Sequence, residues 1–376
     1  MKSKNRPTPV LFLVALSMVL LAQQTCLGAE GFLQAIEPRD WTFPKDHGDH
    51  PGFQTEWWYY TGNVESADKR PFGFQLTFFR IQLKAVPVES SSKWRANQLY
   101  FAHLTISDME AQEFLVAERV GRGAVGIGGV SQEQARVQVL LHGWETAIQG
   151  KRHHLRAEAD RLGMDLTLVS EKPPVFHGKR GLSRKGAGKG KASYYYSLTR
   201  MGTKGTVRVD GKNYKVSGWS WMDHEFSSNV LSEDQVGWDW MGLQLSDGQE
   251  LMLFVLRHSD GSLDPVSSGT LVQKDGMSVH LPKETFTIKP LDHWKSPRTE
   301  ARYPSGWQVE VFPYDISLEV LPNMRDQELM TAESTQVTYW EGSVGVTGAM
   351  SRQPVAGSGY VELTGYAGDF KGASLW

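Results

Sequence analysis

The chain has 376 residues with a single cysteine, thirteen tryptophans and a formal net charge of −2. Its hydrophobic fraction of 40% and charged fraction of 22% are those of a globular protein long enough for two domains with real cores. That charge balance gives no reason to expect nucleic acid as a partner, and one cysteine excludes a disulfide framework.

The N-terminus reads as a secretory signal over residues 1–29. Lys2, Lys4 and Arg6 precede an apolar run from Val10 to about Ala22, and small residues follow up to Leu27-Gly28-Ala29. The run is shorter than a spanning helix needs, so a mature protein starting near Glu30, secreted or periplasmic, is expected. Losing Lys2, Lys4 and Arg6 takes the net charge from −2 to −5, and losing Cys26 removes the last thiolate. Gln24-Thr25 is a poor match to a lipoprotein box, which argues against a lipid on Cys26.

Asp46-His47-Gly48-Asp49-His50-Pro51-Gly52 groups carboxylates and imidazoles, but its spacing matches no closed zinc pattern. It reads as a turn or a loop capping a barrel mouth, and no metal or cofactor is expected. The following stretch, as a strand, places Gln54, Glu56, Trp58 and Tyr60 on one face and Thr55, Trp57 and Tyr59 on the other. Both faces are aromatic, so both are expected to be covered. Glu56 there needs a donor, either a core arginine or a partner in a binding site, and with Trp58 it is a substrate-binding candidate.

Strand patterns continue with Phe72–Ile81, Leu99–Ser107, Arg136–Leu141, Asp165–Ser170, Thr206–Val209, Leu251–Arg257, Trp307–Val311 and Tyr360–Tyr366. Long helical periodicity is nearly absent, which points to an all-β chain of antiparallel barrels or sandwiches. The tract from Gly178 to Lys191 carries six basic residues and five glycines and reads as a mobile loop. Peripheral contact of that tract with an anionic cell envelope is an alternative to simple solvation. Tyr194 and Tyr196 share a strand face and are expected beside Asp223 across a hairpin turned at Asp210-Gly211.

In Gly218–Phe226, the period of two puts Trp219, Trp221, Asp223 and Glu225 on one face. If that face looks into an apolar lumen, desolvation raises a carboxyl's pKa and makes it a proton donor near neutral pH. The plain alternative is a strand end whose side chains bond nearby backbone. His224 falls on the opposite face, so an Asp223–His224 relay requires a bulge. A polar run near Ser227 to Gln235 separates this pattern from Trp238 and Trp240, dividing the chain into domains 37–227 and 236–376. Glu362, in the closing strand pattern, is a further candidate buried acid. The chain has no Gly-x-Ser-x-Gly elbow, no P-loop glycine pattern and no His-Glu-x-x-His.

At His50–Gly62, Trp219–Phe226, Gly237-Trp238-Asp239-Trp240 and Gly359–Tyr366, the chain resembles the secreted branch of the carotenoid 1,2-hydratase (hydroxyneurosporene synthase) family. The resemblance implies two consecutive lipocalin-like (calycin) antiparallel β-barrels, a superfamily that also resembles fungal Diels-Alderases. It further implies cofactor-independent addition of water across a terminal isoprenoid double bond. Asp223 stands at the position of the hydratases' catalytic Asp. Trp221 replaces their Tyr, and Tyr194-Tyr195-Tyr196 stands where they carry His-x-Trp.

The expected function is therefore a hydratase-like carbon–oxygen lyase acting on an isoprenoid or other long apolar molecule, a hydrophobic ligand or lipid. Asp223 would be the general acid, with His224 or Glu225 orienting water and Tyr194, Tyr196, Trp219, Trp221, Trp238 and Trp240 binding substrate. The alternative is a non-catalytic lipocalin-like carrier or sensor. The Asp223 carboxyl is expected dry, walled by aromatic rings, inside a cavity of the first barrel.

Overall fold

The computed structural model describes residues 31–86, 96–124, 126–228 and 231–368. The expected leader, Cys26 and residues 369–376 lie outside the described residues. Thirteen strands form the first sheet: β1 (Thr55–Ser66), β2 (Pro71–Gln82), β3 (Gln98–Asp108), β4 (Glu113–Arg122), β5 (Gly128–Glu133), β6 (Arg136–Leu141), β7 (Trp144–Gln149), β8 (Arg152–Glu158), β9 (Leu162–Ser170), β10 (Val175–Phe176), β11 (Leu182–Arg184), β12 (Ala192–Val209) and β13 (Lys212–Ser227). They pair antiparallel in the order β4-β3-β2-β1-β13-β12-β9-β8-β7-β6-β5, with β10 and β11 added to β12. The end strands β4 and β5 are consecutive in the chain and meet at the Ala124–Gly128 bridge, so the sheet curls nearly closed.

The second sheet is built from β14 (Gln235–Leu245), β15 (Glu250–His258), β16 (Ser268–Val272), β17 (Ser278–Pro282), β18 (Phe286–Pro290), β21 (Trp307–Val311), β22 (Ile316–Pro322), β23 (Glu328–Met330), β24 (Thr338–Met350) and β25 (Gln353–Leu363). A small hairpin of β19 (His293–Lys295) and β20 (Arg302–Pro304) stands apart from it. The all-β expectation holds, because inward positions along the strands are apolar, many of them β-branched or aromatic, and turn residues separate the runs. Asp210 at φ 47° and Gly211 at φ 77° make the β12–β13 hairpin turn, whose backbone matches strand twist only with both residues left-handed.

Each sheet encloses its own apolar core. In the first, Trp58, Tyr60, Phe74, Leu104, Leu166 and Met222 fill the barrel interior. In the second, Leu243, Leu253, Trp307, Val320, Trp340 and Val361 do the same. A third cluster joins Tyr59, Tyr195 and Trp221 of the first unit to Trp240, Phe254 and Tyr360 of the second. The two units are also fastened by an ion cluster: Lys172 Nζ lies 2.8 Å from Glu250 Oε2 and donates to the carbonyls of Gly248 and Gln273, while Arg200 holds the other oxygen of Glu250.

The segment 178–191 is not the solvated loop expected from its charge. Leu182–Arg184 pairs with β12, and Gly181, at φ 90°, lies so close to the Trp41 indole that a Cβ would sit 2.5 Å from it. Backbone pairing and the missing side chain let this basic tract lie flat on the barrel.

Candidate active site

β1 separates its side chains by parity. Glu56, Trp58 and Tyr60 point into the packed interior of the first barrel, while Trp57 and Tyr59 face the second unit. Between the units lies a cavity of about 190 Å³, walled on one side by Trp57, Tyr59 and Tyr195 and on the other by Trp238, Trp240 and Phe254. The interior of the first barrel is filled, so the cavity sits between the two units rather than inside the first, a correction to the sequence-based expectation. The expected dry, aromatic surrounding of Asp223 is nevertheless present: the residue lines this cavity and is 4% exposed.

Strand register decides which groups meet Asp223. β13 pairs Asp223 with Tyr59 of β1 and with Ser197 of β12, and partners directly opposite in antiparallel strands share a face. Ser197 Oγ and Trp221 Nε1 both donate to Asp223 Oδ1, the indole at 2.6 Å. Tyr195 Oη donates to Oδ2 at 2.7 Å and itself accepts from Trp240 Nε1 at 3.0 Å. Three of the four lone-pair sites of the carboxyl are thus filled, and the fourth, on Oδ2, has no partner among the described residues. Burial pushes the pKa of Asp223 up to about 7, with the nearby Glu225 adding to the rise and the three donors opposing it. A proton on the open Oδ2 site needs none of these hydrogen bonds to reverse.

Behind Asp223, Ser197 Oγ bonds His177 Nε2 at 2.6 Å, and His177 Nδ1 bonds Thr270 Oγ1 at 2.9 Å in the second unit. Burial holds His177 neutral, with its pKa lowered to about 3, so Nε2 donates to Ser197 and Nδ1 accepts from Thr270. Glu225 also lines the cavity, and its Oε1 lies 3.0 Å from Lys185 Nζ, which the basic tract delivers over Phe254 and Tyr195.

The second unit adds two acids to the same cavity. Tyr59 Oη donates to Glu341 Oε1 at 2.6 Å, and Trp238 Nε1 donates to Glu362 Oε1 at 3.0 Å. Burial, and then the charge of Glu362, raises the Glu341 pKa well above the ordinary carboxyl range. Burial likewise raises Glu362 to about 8.

Several candidates chosen from sequence lie elsewhere. Tyr194 and Tyr196 are on the opposite face from Asp223: Tyr194 Oη donates to the Glu37 carbonyl, and Tyr196 Oη bonds His47 Nδ1 at 2.7 Å. A one-residue difference in register exchanges the two faces, so Tyr195 takes the expected place. His224 also points away from the cavity; its Nε2 lies 2.8 Å from Glu56 Oε1 and its ring stacks on Trp58 at 4.8 Å, so it cannot orient water beside Asp223. Glu56 is held by Arg80 Nε at 2.8 Å with both side chains fully buried, the structural ion pair among its two readings. Trp58 is core. Trp219 is 37% exposed under the Arg200 guanidinium, off the cavity. Trp221 does not line the cavity, yet it touches Asp223 directly.

His50, Glu56 and His224 place three ligand-type atoms within 4.8 Å of one another. Each is already engaged: Glu56 by Arg80 and both imidazoles, His50 by Asp46 and His224 by Tyr196. With a fixed guanidinium on the only carboxylate of the three, the set suits a proton network better than a cation.

Sequence reasoning missed Trp57, Tyr59, Tyr195, Ser197, Lys185, His177 and Glu341 as site residues. Alternation in β1 did show a second aromatic face through Trp57 and Tyr59. Nothing local marks Lys185 or His177, which reach the site through contacts with β12 and β13 made far along the chain.

In the solved structures, a protein described as AttH from Nitrosomonas europaea is similar to this chain with a TM-score of 0.78 at 32% identity, covering 89% of this chain and 100% of that one. Kievitone hydratase from Nectria haematococca shares the fold with a TM-score of 0.65 at 15% identity, covering 90% and 98%. Dehydratase asqC of Emericella nidulans is 22% identical over 207 residues, 53% of this chain and 57% of that protein, so the chain spans a little over half the length of this curated relative. The AttH-like family model matches residues 34–366, nearly the whole of both sheets and every residue of the cavity, and the chain therefore belongs to the AttH-like family.

Proposed function

We propose that the protein is a cofactor-independent carbon–oxygen lyase that adds water to, or removes it from, an apolar molecule held between the two units, with Asp223 as general acid. The observation that carries this reading is a carboxyl in an aromatic cavity, anchored by three donors, with one lone-pair site open and its pKa near neutrality. In the hydration direction the Asp223 proton goes to one carbon of a double bond and a water oxygen bonds to the other. The proton that water loses restores the acid; dehydration is the reverse. The positive charge that develops is stabilised by the faces of Trp57, Trp238 and Trp240. A hydratase that shares the fold and a dehydratase similar in sequence over about half of the chain support the same reaction class.

The cavity is smaller than the ~300 Å³ at the low end of drug-sized pockets, so it suits an isoprenoid end group or a compact ring system, not a whole extended polyene. The N-terminal leader pattern supports action outside the cytoplasm.

The test uses 2-isopropenylnaphthalene as an alkene probe and follows its tertiary alcohol by chromatography. Asp223→Asn is expected to lower turnover by about 100-fold or more, and wild-type kcat is expected to fall as pH rises through about 7. Equal turnover by the variant refutes the acid role. Recovery of a stoichiometric, unaltered apolar molecule from protein purified out of its own envelope, with no turnover, favours the carrier reading.

A further inference from the structure

We infer that Glu341 and Glu362 share one proton and form, in the cavity wall opposite Asp223, a donor–acceptor pair that seats the oxygen of the water or hydroxyl. The inference rests on the proposed use of this cavity, because it assigns the second half of the same reaction.

The geometry begins with register. β24 and β25 pair Glu341 directly with Glu362, so both side chains leave the sheet on one face, with their Cβ atoms about 5 Å apart. Both are cavity residues, and Glu341 is fully buried. Each carboxyl is anchored at a single oxygen by one neutral donor, Tyr59 for Glu341 and Trp238 for Glu362. Glu341 Oε2 is a buried oxygen with no hydrogen-bond partner among the described residues. Two carboxylates placed side by side in an apolar wall cannot both stay ionised, and among the described residues no arginine or lysine is bonded to either. A proton on the orphaned oxygen leaves one negative charge for the two groups. The titratable groups facing the pair are Tyr59 from β1, Asp223 and Glu225 from β13, Tyr339 from β24, Tyr360 from β25, and Lys185, which is already engaged with Glu225; His103, in the same cavity wall, bonds Tyr339.

Such a pair offers a donor and an acceptor to a single oxygen. Hydration requires this complement: Asp223 delivers a proton to carbon, and the pair holds the attacking water and takes up the proton that the water releases, which solvent then carries back to Asp223 so that both return to their starting states. A carrier for hydrocarbons has no use for it.

Two measurements on the full chain test the inference. Infrared titration of the carboxyl stretch in wild type, Glu341→Gln and Glu362→Gln reads the coupling without any ligand. A shared proton predicts that either single substitution moves the remaining glutamate to a lower pH. If each variant loses only its own titration and leaves the other glutamate's unchanged, the sharing is refuted. Quenching of the cavity tryptophans then compares 2-(2-naphthyl)propan-2-ol with 2-isopropenylnaphthalene. Wild type is expected to bind the alcohol about tenfold tighter, and the Glu341→Leu/Glu362→Leu double variant is expected to lose that preference while still binding the alkene. Equal affinities in wild type overturn the seat alone, whereas failure to bind either probe overturns it together with the proposed function. Loss of turnover in Asp223→Asn with the glutamate coupling intact separates the acid's role from the pair's.

Discussion

Replacing Asp223 by Asn changes the pH dependence of stability in a way that the structure quantifies. The group goes from an ordinary value of 3.8 in the unfolded chain to about 7 when folded, because burial disfavours its charge. An acid whose folded pKa is raised binds more protons in the folded state, so stability falls as pH rises from the unfolded value to the folded one and is level beyond it. Between about pH 5.5 and pH 8.5 the folded carboxyl gives up its proton while the unfolded one is already ionised, a span of roughly 1.5 units below the folded pKa, at about 1.4 kcal/mol each. Wild type is therefore expected to lose about 2 kcal/mol more than Asp223→Asn over that interval. Asparagine fits the same space, and any fixed penalty from its altered hydrogen bonds shifts both ends equally. Urea unfolding of both proteins at the two pH values measures the difference. Parallel curves for the two proteins would show that the carboxyl is solvated or paired in solution, and the acid assignment would fall with it.

Two further substitutions test the frame around the site. Lys172→Met removes the ammonium that binds Glu250 and two carbonyls across the units, and is expected to destabilise the protein by about 3 kcal/mol in thermal or urea unfolding. Glu56→Gln leaves Arg80 buried without its carboxylate and is expected to cost about 3–5 kcal/mol, with the alkene probe's affinity unchanged because Glu56 lies away from the cavity. The Glu56 pKa is held well below 4.5, chiefly by Arg80 and His50 against its burial. Its contribution is therefore present above that value and lost as pH falls toward the folded pKa, so wild type and variant should converge in acid. A constant gap down to the acid limit would contradict the ion-pair assignment.

How far the sequence reached can be seen at three places. The strands Arg136–Leu141 and Trp307–Val311 coincide with their sequence patterns, because turn residues bound a short alternating run whose burial depends only on its neighbours. Asp223 was identifiable because a carboxyl between indoles on one strand face is costly without a purpose. Tyr195 was not, because the choice between Tyr195 and its two neighbours depends on which residue of β12 stands opposite Asp223. Pairing of Ser197 with Asp223 settles it, and a shift of one residue would have turned the other two rings to the site.

The sequence by itself determined an all-β chain, several of its strand segments and a buried carboxyl at Asp223 among aromatic rings. All of these follow from the period of two and from the energy of placing one residue type beside its immediate neighbours. Only the tertiary structure decided that the cavity lies between the units, that Lys185 reaches it while His177 backs Asp223 through Ser197, and that Glu341 and Glu362 line it together with Asp223. Those positions depend on the packing of two sheets whose contacting residues lie far apart in the chain, as Tyr59 and Glu341 do, and no local pattern encodes a distance of that kind.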